Sequence, residues 1–477
     1  MNIAVVGSGY VGLVAGACFA ELGHDVILVD SDPQKIAMLK KGECPIHEKF
    51  LPELLHRHRG KRLDFTDDLL AAVRRSQVIF IAVGTPPRED GDADLSYVES
   101  VASEIAGAID SYKIIVEKST VPVYTSSWIT KIMRLNGAPA ELFDVASNPE
   151  FLREGSAVAD FLYPDRIVIG ADTDPCAKIL ERIYKPMANG SYYARPDAIP
   201  GPTAAPFKAR IICTSAQSAE LIKHASNAFL AMKISFINAV ACVCEAVGAH
   251  VGQVCEGIGS DSRIGPRFLH PGIGYGGSCF PKDLLAFRTA ARENGYQFGL
   301  LDEIVRVNEE QRIHFLRKVR KALWTLKGKK LAVLGLAFKN GTDDVRESPA
   351  IAIIKALMKE GCSIIAYDPA AMERAAEQLG PKSIIFAAGP YEAMEGADAC
   401  LILTEWEDFS ALDLKRMKKA LRYPIVVDGR NLFKPADMAA AGLNYYSIGR
   451  PDVIGERSTT QAKPEWREII GPEAQAA

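Results

Sequence analysis

Apolar residues in this chain fall in short unbroken runs between longer amphipathic stretches. That alternation is expected of parallel strands buried on both faces and of the helices that cover them. Positions 3–6 form the first run. After it come Gly7-Ser-Gly9-Tyr-Val-Gly12, an apolar helix ending at Leu22-Gly23, a second run over 26–29, and Asp30. Runs at 78–83, 114–116, 143–146 and 166–170 predict four more strands of the same sheet. Near their carboxyl ends stand Thr85, Thr120, Glu150 and Glu154. Each alone would be an ordinary turn or cap residue; at successive strand ends they form a candidate site. Residues 188–210, rich in Ala, Pro and Gly, predict a loop or linker with no core-forming pattern. Helical spacing then runs from 215 to 247, with Thr214 and Gln217 as a capping box and Gly248 as the stop. Phe229, Met232 and Phe236 on this helix predict burial against another element or subunit. Beyond a helical stretch over 306–326, runs at 330–335, 364–368, 399–403 and 425–428 predict a second domain of the same type. Its first turn lacks the three glycines, so it need not bind a dinucleotide. The fold class expected is α/β, two Rossmann-like doubly wound parallel-sheet domains joined by a long central helix.

Composition narrows the class. A chain of 477 residues needs more than one core, and 48% hydrophobic with 24% charged residues is ordinary for a soluble globular protein. A formal net charge of −3 gives no general attraction to nucleic acid or to an anionic membrane. No long uninterrupted apolar run predicts a membrane span, and the opening Met-Asn-Ile-Ala-Val-Val-Gly reads as a strand, not as a signal peptide. The ten cysteines are scattered, which fits neither a zinc site nor a disulfide framework; no metal is expected, and the cytoplasm is the expected compartment.

Two stretches carry chemistry. The first is the turn Gly7 to Gly12, set between a strand and a helix with Asp30 ending the next strand. One glycine makes the tight turn, the second admits a pyrophosphate, and the third lets helix and strand pack closely. Asp30 would accept from a ribose 2′-hydroxyl and repel a 2′-phosphate, which favours NAD over NADP. The second stretch is Gly272-Ile-Gly-Tyr-Gly-Gly-Ser-Cys-Phe-Pro-Lys-Asp283. Pro281 suits the first turn of a helix, so Cys279 would sit at a helix N-terminus, where backbone N–H groups favour a thiolate. Lys282 beside it would add to that effect, and Asp283 follows one helical turn after the sulfur. An isolated cysteine would more simply be a small buried hydrophobe; the glycine loop, helix start and flanking charges favour a nucleophile. On spacing alone Lys223 and Asn227 share a helix face, and Lys339, Arg346 and Arg430 lie at or after strand ends. Basic side chains there meet phosphates or are plain surface charge.

These motifs resemble the nucleotide-sugar 6-dehydrogenases, and within them the UDP-glucose 6-dehydrogenases. The resemblance runs from the Gly7–Gly12 turn through Glu117-Lys-Ser-Thr-Val-Pro122, Asn148-Pro-Glu-Phe-Leu-Arg-Glu-Gly155 and Pro164-Asp-Arg-Ile-Val-Ile-Gly170. It continues through Gly276-Gly-Ser-Cys-Phe-Pro-Lys-Asp283 to Phe338-Lys339 and Asp428-Gly-Arg430. It implies NAD as cofactor and a four-electron oxidation of UDP-glucose to UDP-glucuronate, two NADH per sugar, through a thiohemiacetal and a thioester on Cys279. GDP-mannose and UDP-N-acetylhexosamines are the alternative substrates. Lys223 and Asn227 are implied as oxyanion donors, Asp283 in proton transfer, Glu150 in hydrolysis and Thr120 beside both ligands. Cofactor positions implied are Gly7, Gly9, Tyr10, Val11, Gly12, Asp30, Lys35, Thr85, Thr120, Glu154, Lys282 and Arg346. Substrate positions implied are Glu150, Phe151, Leu152, Arg153, Glu154, Lys223, Asn227, Phe268, Leu269, His270, Pro271, Gly272, Gly276, Lys339 and Arg430. Arg263 is implied to reach a second subunit's substrate site, hence a homodimer or larger homo-oligomer. The domains expected are 1–210 for NAD with its linker, 211–310 as a central helical catalytic and dimerisation region, 311–450 for the nucleotide sugar, and a tail over 451–477. Two departures stand out: Tyr124 where the family has glycine, and a long Ala/Pro-rich connection before Cys213.

Overall fold

In a computed structural model the described residues are 1–86, 88, 93–201, 208–380 and 383–454. Most of the expected tail therefore lies outside them. The described chain divides into two compact units. One comprises Met1–Ala228 with Lys282–Phe298, and the other Phe229–Pro281 with the described residues from Gly299 on. The boundary cuts the helices Ala216–Val247 and Cys279–Glu293, each of which supplies residues to both units.

The first unit holds strands β1 (Asn2–Val6), β2 (Asp25–Val29), β3 (Leu63–Thr66), β4 (Val78–Ile81), β5 (Lys113–Glu117), β6 (Phe143–Ser147), β7 (Arg166–Ala171) and β8 (Arg210–Thr214). They form one sheet in the order β3-β2-β1-β4-β5-β6-β7-β8. Every residue of β4 and β5 is buried, and apolar clusters cover both faces, which is why 78–81 and 114–116 read as unbroken apolar runs. The strand order reverses at β1 and β4, opening the crevice where such sheets bind ligands. Two strands, β7 and β8, depart from the all-parallel expectation: they pair parallel with each other and run against the other six. β7 pairs antiparallel with β6, Ser147 opposite Gly170, so the chain re-enters the sheet from the carboxyl-end side that it has just left. Residues 148–165 thus stay on the ligand side of the sheet.

The 188–210 segment is also not the featureless connection its composition suggests. Tyr192 is 1% exposed, and Ile199 is equally buried. Arg195 donates to the Glu21 carbonyl, Tyr163 donates to the Ile199 carbonyl, and β8 continues the sheet. Tyr192, whose hydroxyl also donates to the buried Glu21 carboxylate, and Ile199 anchor the segment despite its Pro/Gly content; its residues 202–207 lie outside the described part. The helix cap is one residue later than expected. Ser215, not Thr214, accepts from the Ser218 N–H. Tyr124 precedes the helix Thr125–Leu135 at φ +80°, a left-handed conformation that glycine adopts without a Cβ clash.

The second unit holds β9 (Lys330–Leu334), β10 (Ser363–Tyr367), β11 (Ile385–Phe386), β12 (Ala399–Ile402), β13 (Ile425–Asp428) and β14 (Asn444–Ser447). The sheet is parallel throughout, in the order β11-β10-β9-β12-β13-β14, with an apolar cluster on each face. β11 and β14 are edge strands too short or too polar to stand out in the sequence. Asp368, which follows β10 as Asp30 follows β2, is 0% exposed and accepts from Leu336 N, Ala337 N, Ala370 N, Ala371 N and the Trp406 indole. Its oxygens serve the backbone turns after β9 and β10 and the Trp406 indole. The helix Ala216–Val247 is long and apolar enough to cross a membrane, with 33% of its most apolar stretch buried. Its buried Glu220, Lys223, His224 and Asn227 all have hydrogen-bond partners within the protein, as in a core helix.

Candidate active site

The first unit builds a nucleotide cradle directly from glycine stereochemistry. Gly7 lies at φ +100°, and a Cβ on Gly12 would stand 1.8 Å from the Gly7 carbonyl oxygen. Gly9, in contrast, has nothing within 4 Å of where a Cβ would be, so its backbone faces open space. Asp30 accepts from the Ser8 backbone N–H at 2.8 Å and from Lys35 Nζ at 3.3 Å. Those bonds, with the Ser8 hydroxyl, outweigh burial and hold its carboxyl below the ordinary range. A tight turn, an open second glycine and an ionised acid at the next strand end fit the pyrophosphate and ribose of NAD. Tyr10 and Glu48 brace the far side of this turn. The tyrosine hydroxyl donates to Glu48, and the Gly155 N–H lies 2.7 Å from that hydroxyl and 2.8 Å from the carboxylate. Nothing in the apolar pattern marks Glu48; its burial opposite Tyr10 is purely tertiary.

At the carboxyl ends of β4, β5 and β6 the polar side chains converge. Thr85 Oγ1 donates to the Thr120 carbonyl at 2.9 Å, and Lys282 Nζ lies 3.5 Å from Thr85 Oγ1 and 3.4 Å from that same carbonyl. Lys282 also pairs with Asp283 at 3.0 Å. Lys223 Nζ donates to Glu150 Oε1 at 2.9 Å, and Asn227 Nδ2 to Asp283 Oδ2 at 2.5 Å. Lys223, Asn227, Glu150 and Asp283 are all 6% exposed or less. Such burial is costly for charged groups unless they are paired, as they are here. Phe151 lies under two cations, with the Arg166 guanidinium 3.7 Å and Lys223 Nζ 5.5 Å from its ring centre. Leu152 donates its N–H to Glu150, which fixes that carboxylate from the other side. Arg153, in the loop, is turned to the helix Ala157–Leu162 that follows, clasping Asp160.

Three further buried residues, to which the motifs assign no role, stand in this cluster. Lys118 and Asn148 belong to the strand-end motifs, and Lys118 Nζ donates to both oxygens of Asn148, at 3.0 and 3.2 Å. His224, next to Lys223, has its Nε2 2.7 Å from the Val121 carbonyl; burial lowers its pKa and keeps the ring neutral. Polar and charged residues in strand-end motifs, with no apolar alternative nearby, are the signal that would find the first two.

In the second unit the glycine loop is held by side-chain amides. Asn238 accepts from the Gly272 N–H, Gln311 donates to its carbonyl, and Asn308 bridges both backbone groups of Tyr275. A Cβ on Gly276 would stand 2.3 Å from the Glu347 carbonyl, and one on Gly277 2.8 Å from the Phe338 ring. Cys279 is half-buried and opens the helix Cys279–Glu293, whose early turns carry Lys282 and Asp283. Phe280 packs edge-on to Tyr275 and near Phe268, itself at φ +65°. Leu269, Pro271 and Gly272 are buried while His270 is exposed. Arg430, expected among the phosphate contacts, directs its guanidinium to the carbonyls of Gly274, Phe338 and Leu403 and to Glu405. These contacts tie it to the glycine loop and to the turns after β9 and β12. Arg346 clasps Asp344, Lys339 Nζ lies over the Phe338 ring, and Arg263 is largely exposed beside Asp261.

Comparison with known proteins agrees with this geometry. The NAD binding domain of the UDP-glucose/GDP-mannose dehydrogenase family matches residues 1–188, its central domain 217–310 and its UDP binding domain 332–435. The chain is 47% identical over 457 residues to a UDP-glucose 6-dehydrogenase of Rhizobium meliloti, covering 95% of this chain and 100% of that one. It is 45% identical over 464 residues to UDP-glucose 6-dehydrogenase TuaD of Bacillus subtilis, covering 97% and 96%. A solved UDP-glucose dehydrogenase from Pyrobaculum islandicum superposes with a TM-score of 0.84 at 36% identity, over 94% of this chain and 98% of that one. NAD is thus the cofactor, and the stretch that matches the NAD binding domain contains the Gly7–Gly12 turn. With a cradle, a buried acid–amide cluster and three matching domains in one order along the chain, this protein belongs to the UDP-glucose/GDP-mannose dehydrogenase family.

Proposed function

We propose that the chain oxidises UDP-glucose to UDP-glucuronate. The observation that carries this reading is a single helix that starts at Cys279 and brings Asp283, fully buried, against Asn227. A one-step alcohol dehydrogenase has no need of the thiol. The nicotinamide, when bound, accepts one hydride at each of two oxidations, so sugar alcohol, two NAD and water give carboxylate, two NADH and protons. Cys279 adds to the C6 aldehyde as a thiohemiacetal, whose oxidation leaves a thioester that water cleaves. Helix N–H groups at residue 279 favour its thiolate. Lys223 and Asn227 donate to the oxyanions formed at C6, Asp283 moves a proton with water, and Glu150, oriented by Lys223 and the Leu152 N–H, serves hydrolysis. Thr120, Glu154, Lys282, Arg346 and Lys339 complete the ligand contacts.

Two copies are expected to act together. Phe229, Phe236, Val243 and Val247 lie seven, seven and four residues apart on one helix and are 58%, 56%, 60% and 71% exposed, an apolar stripe suited to a second copy of the helix. Arg263, with its guanidinium pointing to solvent, would reach that copy's substrate. A panel of UDP-glucose, GDP-mannose and UDP-N-acetylhexosamines with NAD, followed by the absorbance of reduced cofactor and by product mass, tests the reading. Two NADH per UDP-glucose and a released carboxylate are expected. Preference for another sugar, or a stoichiometry of one, overturns it.

A further inference from the structure

Lys118 is the first residue past β5 and is 3% exposed, yet among the described residues no carboxylate bonds it. Its Nζ donates to the Asn148 carbonyl at 3.2 Å and to Asn148 Oδ1 at 3.0 Å, between the rings of Phe80 and Phe161 at 6.0 and 5.8 Å. Asn148 is itself fixed on every side. Its N–H donates to the Glu117 carbonyl, its Nδ2 to the Val168 carbonyl, and its Oδ1 accepts from the Tyr184 hydroxyl. Two residues on stands Glu150, the partner of Lys223. A buried ammonium held only by amide oxygens and ring faces is a costly way to fill space, and a methionine would fill it more cheaply.

We propose that Lys118 is a positioning residue of the reaction: it grips Asn148 so that Glu150 meets Lys223, and its charge offsets that of Glu150. The inference rests on the proposed function, since it assigns Lys118 a part in that chemistry. The groups that face it are Glu150, Lys223, Tyr184 through Asn148, and the adjacent Glu117. Burial pulls the Lys118 ammonium down to about 8, Glu150 pulling it up and Lys223 pushing it further down. The charge is therefore present below about pH 8 and lost above it. Glu117, raised to about 8 by burial, titrates in the same range and must be separated from it.

The test uses full-length Lys118→Met, Lys118→Arg and Glu117→Gln, with kcat and both KM values measured across pH against the wild type. Lys118→Met should lose roughly ten- to a hundredfold in kcat with KM values within about threefold. The wild-type fall in kcat above about pH 8 should be absent in it and kept by Glu117→Gln. Lys118→Arg keeps a charge that does not titrate, so it should recover part of kcat and also lack the fall. If Lys118→Met does not fold, the arginine variant decides alone. A Lys118→Met enzyme within about twofold of wild type overturns the proposal, as does a fall near pH 8 that survives in either lysine variant. The wild type reports on the proposed function and the variants on Lys118, so the two failures are distinct.

Discussion

Lys223 Nζ and Glu150 Oε1 stand 2.9 Å apart with side chains 4% and 5% exposed, joining the long central helix to the loop after β6. Neither charge has water to fall back on. Lys223→Met should therefore leave Glu150 buried without its ion-pair partner, at a cost of roughly 3–5 kcal/mol in stability, as well as abolishing turnover. Adding Glu150→Gln should restore most of the stability and none of the activity. Chemical denaturation beside kcat separates the two effects. Equal destabilisation in the single and double variants would show that the pair is not coupled.

Cys279→Ala should lose the overall oxidation by about three orders of magnitude or more while still binding NAD and UDP-glucose by calorimetry. Cys279→Ser should form an ester that water cleaves slowly, visible as an adduct in intact mass. Cys18, Cys176 and Cys400 are fully buried with thiols raised by burial, and they have no comparable part. Near-normal turnover in Cys279→Ala would sink the covalent route.

Asp30→Ser should narrow the preference for NAD over NADP by about tenfold or more, since it removes the charge that opposes a 2′-phosphate. The ratio of kcat/KM for the two cofactors measures it. A wild type that uses both equally would remove Asp30 from this role.

Tyr124 at φ +80° occupies a conformation that costs an ordinary residue about 1 kcal/mol or more. Its N–H still donates to Glu220 at 2.7 Å, so the backbone bond survives a change of side chain. Tyr124→Gly should leave stability level or raise it by up to about 1 kcal/mol, and Tyr124→Val should lower it. Loss of more than about 1 kcal/mol in the glycine variant would mean the exposed ring has a contact of its own.

Glu117 is fully buried, and burial raises its carboxyl from the ordinary 4.5 to about 8. The folded state thus holds a proton that the unfolded state releases near 4.5. The group's contribution to stability is full below that pH and declines as pH rises to about 8. Glu117→Gln removes this dependence, so the variant should gain on the wild type as pH rises through that window. A difference in unfolding free energy that is flat with pH would contradict the burial argument.

Much of this protein is legible along the chain itself. The unbroken runs at 3–6, 78–83 and 399–403 appear as strands because parallel strands buried on both faces admit almost no polar residue. The Gly7–Gly12 turn demands glycine at position 12 because a Cβ there cannot coexist with the Gly7 carbonyl. Pro281 marks a helix start near Cys279, where the structure places one. What sequence could not settle depends on residues distant along the chain. Antiparallel β7 depends on where the chain re-enters the sheet, and no local pattern encodes strand direction. Tyr192 and Ile199 join a core through a composition that reads as a loop, because two buried residues suffice to anchor a segment. Arg430 carries a motif position, but its guanidinium meets three backbone carbonyls that only the folded chain brings within reach. Glu150 and Lys223, seventy-three residues apart, become one ion pair only when the sheet sets the loop after β6 against the central helix. Local stereochemistry writes turns, caps and strands into the sequence. Pairing of buried charges is written only in three dimensions, because it depends on which desolvated groups end up adjacent.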